Sequence, residues 1–363
     1  MSLTLRHFFL GNDVALKRTW EFHDYLAGRP DIVYHLHVIG RYTGPHEDLD
    51  DRHYITRALP LAAPSRPEVW IIRGWNYPLL VLAAVLARFR HIPILMWQER
   101  PGATWEASDF KKGIRIQLRR LLLPVLFLPY RSGTLVLGLG HEGVEAFRKL
   151  SGGSPGHMLP WPNPVADACL SEIHPRKRDD VVRFLFLGNF TRLKAVDLIA
   201  RACENLWSSG RTFKMRYVGQ GPLKDMLEEH VSKNQERAEL FPFADRTTLI
   251  EHLKEADAVL LPSRRDGWGL PVHEGLAAGV PVIVSHACGA ADLVTSSGCG
   301  RVIASDNEEA LRSAMSWVID LSPAERELIQ EKAVKVARQL TMPNIADTLL
   351  SYCEEALALV GEK

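Results

Sequence analysis

The chain has 363 residues, enough for two domains of about 150 residues that each bury a core, so a small disulfide-stapled scaffold is excluded. Lys and Arg number 44 against 43 Asp and Glu, giving a net charge of +1, with 24% charged and 46% hydrophobic residues; that balance excludes a dedicated nucleic-acid binder. The five cysteines are scattered without a C-x-x-C pair, which fits a reducing cytosol and points to neither a zinc nor a dithiol site.

The charge is unevenly placed. Residues 1–170 hold 20 Lys/Arg and 15 Asp/Glu, a balance of +5, whereas residues 171–363 hold 24 and 28, a balance of −4. The first half is therefore the one expected to meet an anionic surface or ligand. Met1 to Asn12 lacks the apolar core and cleavage site of a signal peptide. The longest apolar runs, Leu79–Ala87 and Leu121–Pro129, stop far short of the ~20 residues that cross a bilayer.

In chain order, short apolar runs rich in β-branched residues alternate with longer amphipathic ones, the pattern of a parallel sheet covered on both faces. Strands are predicted at Leu5–Leu10, Ile32–Ile39, Val69–Arg73, Ile92–Trp97 and Thr134–Leu139. Helices are predicted between them at Asp13–Ala27, Pro78–Arg90, Trp105–Leu123 and Glu142–Leu150. The Pro/Gly-rich stretch Ser151–Pro164 and the charged segment His174–Asp180 read as linker.

Beyond it the alternation restarts: strand Val181–Leu187, helix Lys194–Trp207, strand Phe213–Val218, helix Pro222–Lys233 and strand Leu240–Phe243. Helix Thr247–Glu255, strand Ala258–Leu261, helix Val272–Ala278 and strand Val280–Val284 follow. A last amphipathic helix, Pro343–Val360, is expected to pack on a domain face or to cross between domains. The domains expected are therefore 1–164, a linker at 165–180, 181–342, and the helix of 343–363. Both are α/β and doubly wound, facing each other across a ligand cleft.

The most informative stretch is Ala256–Val284. A buried strand ends at Pro262–Ser263, a polar loop carries Gly267 and Gly269, and a helix starts near Leu270–Pro271. Such a loop lets a ligand approach the backbone, and the helix start presents free N–H groups and a positive dipole end to a phosphate. Asp266 and Glu274 bracket this seat and read as acceptors for sugar or ribose hydroxyls. The plainer alternative is a loop cap and an exposed helix residue.

The run DGWGLPVHEGLAAGVPVI resembles the E-x7-E region of retaining glycosyltransferases of GT-B fold, the family numbered four, with Asp266 in place of the first Glu. The resemblance implies that Asp266 contacts the donor sugar and Glu274 the ribose. A second match is FLFLGNFTRLKAVDLIARA, residues 184–202, similar to the family's G-R-L-x-x-x-K-G-x-D-x-L-I-x-A. There Gly188 and Lys194 hold the spacing, while the family's Arg and second Gly are Asn189 and Ala195. Lys194 would then contact donor phosphate, with Arg192 supplying the missing positive charge; the alternative is a solvated lysine on the first turn of a helix. YVGQG (Tyr217–Gly221), Glu255–Ser263 and GAADLV (Gly289–Val294) match further family motifs, so the resemblance covers about residues 181–305.

In the first half the family often has a His after the fifth strand, and Glu99 stands there, either facing the acceptor or paired with Arg100 or Arg73. Arg73, Trp75 and Asn76 end the preceding strand and are candidates for the acceptor side, with a core position the alternative for Trp75. Asp48–Asp51, flanked by His46 and His53, resembles a D-x-D metal motif but reads better as a solvated acidic loop, so no metal is expected. Residues 111–131 carry six Lys/Arg and no acid beside Ile114, Leu118, Leu121 and Leu122. They suit either an anionic membrane surface or a helix with its apolar face in the core.

The expectation is thus a metal-independent retaining hexosyltransferase in polysaccharide biosynthesis. It takes a UDP- or GDP-linked sugar as substrate, needs no further cofactor, and glycosylates a cell-envelope glycan or lipid-linked saccharide. Its place is cytoplasmic, peripheral on the inner face of the membrane. The alternatives are a GT-B nucleotide-sugar epimerase and a non-catalytic GT-B subunit of a glycan synthase.

Overall fold

The computed structural model describes residues 3–10, 17–39, 55–56, 67–73, 78–98, 134–150, 158–162, 181–243 and 245–361. The chain divides into two compact units, Met1–Pro164 with Met342–Lys363, and Val165–Thr341. The expected linker at 165–180 lies outside the described residues.

The first unit holds a seven-stranded parallel sheet of β1 (Leu3–Leu10), β2 (Ile32–Ile39), β3 (Ile55–Thr56), β4 (Glu68–Arg73), β5 (Ile94–Gln98), β6 (Thr134–Leu139) and β7 (Met158–Trp161). The strand order is β3-β2-β1-β4-β5-β6-β7. Among the described residues three helices alternate with these strands: α1 (Lys17–Ala27), α2 (Pro78–Phe89) and α3 (Gly140–Leu150). Val69, Trp70, Ile71 and Ile72 in β4 are all fully buried, because a central parallel strand is covered on both faces. Phe8, Trp70, Ile72 and Met96 meet Leu80, Ala83, Ala84 and Ala87 of α2.

The C-terminal helix (Met342–Gly361) also belongs to this unit and packs on β4, β5, β6 and α1. It buries Ile345, Leu349, Cys353 and Ala356, spaced as one stripe of a helix, and Asp347 accepts a hydrogen bond from Arg29 at 2.6 Å. The structure corrects the reading of Ser151–Pro164 as linker throughout, since Met158–Trp161 is a strand paired with β6. It lies at the sheet's edge, where Pro160 can leave its missing N–H unpaired, so proline is no strand breaker there.

The second unit repeats the scheme with β8 (Val182–Leu187), β9 (Phe213–Val218), β10 (Ala238–Phe241), β11 (Ala258–Leu261), β12 (Val282–Ser285) and β13 (Gly300–Ile303). Its strand order is β10-β9-β8-β11-β12-β13. The helices, numbered onward, are α4 (Val196–Ser208), α5 (Lys224–Lys233), α6 (Arg246–Glu255), α7 (Leu270–Ala277), α8 (Ala291–Ser297), α9 (Glu308–Asp320) and α10 (Pro323–Gln339); the C-terminal helix is α11. Phe184, Phe186, Met215 and Tyr217 pack under α4 through Val196, Ile199 and Cys203. Boundaries in this unit move by at most two residues from the sequence reading. The helix expected from Lys194 begins at Val196, because Ala195 before it is left-handed at φ 58°.

Candidate functional site

The strand order places the site. From β8 the chain builds outward through β9 to β10, then returns to lay β11 on β8's other side, so the β8 and β11 carboxyl ends flank the switch point where such sheets bind ligands. Two loops leave from there, Gly188–Ala195 after β8 and Pro262–Gly269 after β11.

The first loop is held by backbone. Gly188 N–H donates to Val218 O at 3.1 Å and Phe190 N–H to Gln220 O at 2.7 Å. These bonds bring the chain so close that a Cβ on Gly219 would fall on the Gly188 carbonyl, and Gly219 also sits at φ 152°. The spacing of YVGQG is therefore a backbone-contact requirement.

The second loop is tied to the first. Arg264 N–H donates to Leu193 O at 2.8 Å, and the Arg264 guanidinium donates to both Asp197 oxygens at 2.7 and 2.9 Å and to Arg192 O at 2.7 Å. Asp197 opens α4, so this fork fixes the turn that presents Lys194. Lys194 Nζ then meets Asp266 Oδ2 at 2.5 Å, a pair in which the carboxylate is 8% and the lysine 26% exposed. Ser263 Oγ donates to the same oxygen at 3.4 Å.

Asp266 N–H donates to Ala287 O at 3.1 Å, and Cys288 Sγ donates to Trp268 O at 2.7 Å. Burial, and then the neighbouring Asp266 carboxylate, pushes the Cys288 thiol above its ordinary range, so it is a packing residue and not a nucleophile. Gly269 caps α7 at φ 94°; a Cβ there would collide with Cys288 Sγ and Leu261. Glu274 is buried in α7, against its alternative reading as an exposed helix residue.

Residues 172–335 match the family described as glycosyl transferases group 1. They form a glycosyl transferases group 1 domain. An uncharacterised glycosyltransferase of Methanocaldococcus jannaschii is 26% identical over 190 residues, which are 51% of this chain and 47% of that protein, so the chain spans about half the length of that curated relative. Among solved structures, sucrose-phosphate synthase from Thermosynechococcus elongatus matches with a TM-score of 0.70 at 16% identity, covering 98% of this chain and 99% of that one. HepE of Anabaena in complex with UDP also gives 0.70, at 12% identity over 98% and 100% of the two chains. These full-length matches identify the fold as GT-B.

The group 1 domain thus brings Gly188, Lys194, Asp266, Gly267, Gly269, Leu270 and Glu274 onto the two loops and the first turns of α7. Arg192 is different: its side chain is exposed, and its carbonyl accepts from the Arg264 guanidinium and from Ala195 N–H. Two residues escaped the sequence reading. Arg264 is one, and His273 is the other, fully buried and accepting from Trp268 Nε1 at 2.8 Å beside Glu274. A histidine one residue before the matched Glu was the available signal.

Of the acceptor-side residues, Arg73 ends β4 with its guanidinium 5.4 Å from the centre of the Trp97 ring. Trp75, Asn76, Glu99, Asp48–Asp51 and residues 111–131 lie outside the described residues. Among the described residues no cluster of three His, Cys, Asp or Glu has metal-site geometry, and no helix is long and apolar enough to cross a membrane.

Proposed function

We propose that the chain is a retaining glycosyltransferase moving a hexose from a UDP- or GDP-linked donor to a hydroxyl of a cell-envelope glycan or lipid-linked saccharide. The observation that carries this reading is the Lys194–Asp266 pair beside the start of α7 at the switch point. An ammonium beside the positive dipole end of α7 suits a diphosphate, and HepE, a protein of the same fold, was crystallised with UDP.

On donor binding, Lys194 turns from Asp266 to the diphosphate, and the freed carboxylate accepts a hydroxyl of the donor sugar. Glu274 holds the ribose. As the sugar C1–O bond to diphosphate breaks, Lys194 and the positive dipole end of α7 stabilise the charge left on the phosphate, so the reading calls for no metal. The acceptor oxygen bonds to C1 on the face the diphosphate leaves, and its proton passes to the departing phosphate oxygen. Glu99, Arg73, Trp75 and Asn76 orient the acceptor, and residues 111–131 meet the anionic inner face of the membrane.

Calorimetric titration with UDP and with GDP tests the reading. One nucleotide binds, and Lys194→Ala and Glu274→Ala each weaken it at least about ten-fold, the worth of one charged hydrogen bond. Unchanged affinity in both variants overturns it.

A further inference from the structure

Helix α2 carries more apolar surface than the sheet beneath it uses. Its buried face is Leu80, Ala83, Ala84 and Ala87. The opposite face is apolar as well: Leu79, Leu82 and Val85 are about half exposed and Phe89 is 85% exposed, with Val81 and Leu86 half-buried alongside. Among the described residues, half of the exposed large apolar side chains sit on this one helix. A helix that is hydrophobic all round needs apolar surroundings on both sides.

The length and charge of α2 identify those surroundings. Twelve residues rise about 18 Å, short of the ~30 Å hydrocarbon core, so the helix cannot span a bilayer and has to lie along its surface. The sequence from Val69 to Gln98 contains no acid, and Arg88, Arg90 and His91 gather at the end of the helix beside Phe89. A second copy of the chain seated on this face would add the same positive groups, with no carboxylate in the stretch to pair them. Anionic headgroups complement them.

We infer that α2 is an interfacial anchor that lies in the surface of an anionic membrane, with Leu82, Val85 and Phe89 at the acyl boundary and Arg88 at the headgroup phosphates. The anchor stands independently of the donor site and of residues 111–131.

Flotation of the full chain with vesicles of phosphatidylethanolamine and phosphatidylglycerol, and with vesicles of phosphatidylcholine alone, tests it. The protein floats with the anionic vesicles, less so as salt is raised, and stays behind with the neutral ones. Leu82→Ser with Phe89→Ser lowers the vesicle-bound fraction at least about ten-fold while the melting temperature and nucleotide titration stay as in the parent. Phe89→Ser alone, at the most exposed position, gives a smaller loss in the same direction and serves if the double variant folds poorly. Three results overturn the inference: no flotation of the parent, flotation that survives the double variant but not Arg119→Gln with Arg120→Gln, and a parent dimer in sedimentation that the double variant dissolves without any vesicle binding.

Discussion

Replacing Arg264 by alanine removes the guanidinium fork between the two site loops and leaves the backbone bond to Leu193 O and the Lys194–Asp266 pair in place. Its guanidinium makes hydrogen bonds to Asp197, Arg192 O and Asp306. The Asp306 contact is with a side chain 60% exposed and is worth at most about 1 kcal/mol. The Asp197 contact decides the effect, because Arg264 is 21% and Asp197 16% exposed. Losing one partner of a buried pair costs about 3–5 kcal/mol, and the residual exposure brings the whole change to about 2–4 kcal/mol. For a unit of this size that lowers the melting temperature by about 5–15 °C, read by scanning calorimetry on the second unit's transition.

The pH dependence checks the cause. Burial alone would raise the Asp197 carboxyl, but the hydrogen bonds and charge of Arg264 outweigh it and hold the group below the ordinary carboxylate range. A carboxylate lowered in the folded state contributes stability above its unfolded pKa, and that contribution is lost as pH falls through the folded value. The deficit of Arg264→Ala is therefore largest near neutrality and shrinks as pH falls, because without Arg264 burial raises the Asp197 carboxyl and it takes up its proton in the variant before it does in the parent. A melting temperature within about 2 °C of the parent at neutral pH, or a deficit that ignores pH, refutes the reasoning.

Gly219→Ala forces a Cβ onto the Gly188 carbonyl at a φ that L-residues avoid, and is expected to lose about 3 kcal/mol or more in urea denaturation, with nucleotide binding lost alongside. Ala195→Gly tests a near-cancellation. Relief of the left-handed conformation gains about 1–2 kcal/mol, while loss of a fully buried methyl and the added freedom of glycine cost about 1–2, so the urea midpoint is expected to stay within about 1 kcal/mol of the parent.

Local signals made much of this fold legible. β11 occupies the Ala258–Leu261 of the sequence reading because four consecutive apolar residues bounded by Asp257 and Pro262 admit no other element of that length. α7 was equally visible from Gly269 and Pro271, a left-handed cap followed by a proline that suits a helix start. What escaped was either edge or distance. β7 hid behind Pro160, whose meaning depends on a position at the sheet's margin that only the fold supplies. The elements α8, β13, α9 and α10 went unread, although Ser322 and Glu325 form a capping box ahead of α10.

The loop residues were placed from spacing, but their pairing was not. Lys194 and Asp266 are 72 residues apart, Arg264 and Asp197 67, and such partners declare themselves only when β8 and β11 lie side by side.

Because α11 closes the first unit, that unit is assembled from both ends of the chain, with the whole of the second unit synthesised in between. At about 5–20 residues per second, a ribosome delivers Met342–Gly361 roughly 10–35 s after Pro164 has emerged. The second unit, encoded as one continuous stretch, can fold during that interval. The first waits with the surface that Ile345, Leu349 and Cys353 will cover still wetted, a newborn intermediate suited to chaperone capture. A premature stop within Met342–Gly361 therefore damages the unit whose sheet was translated before it.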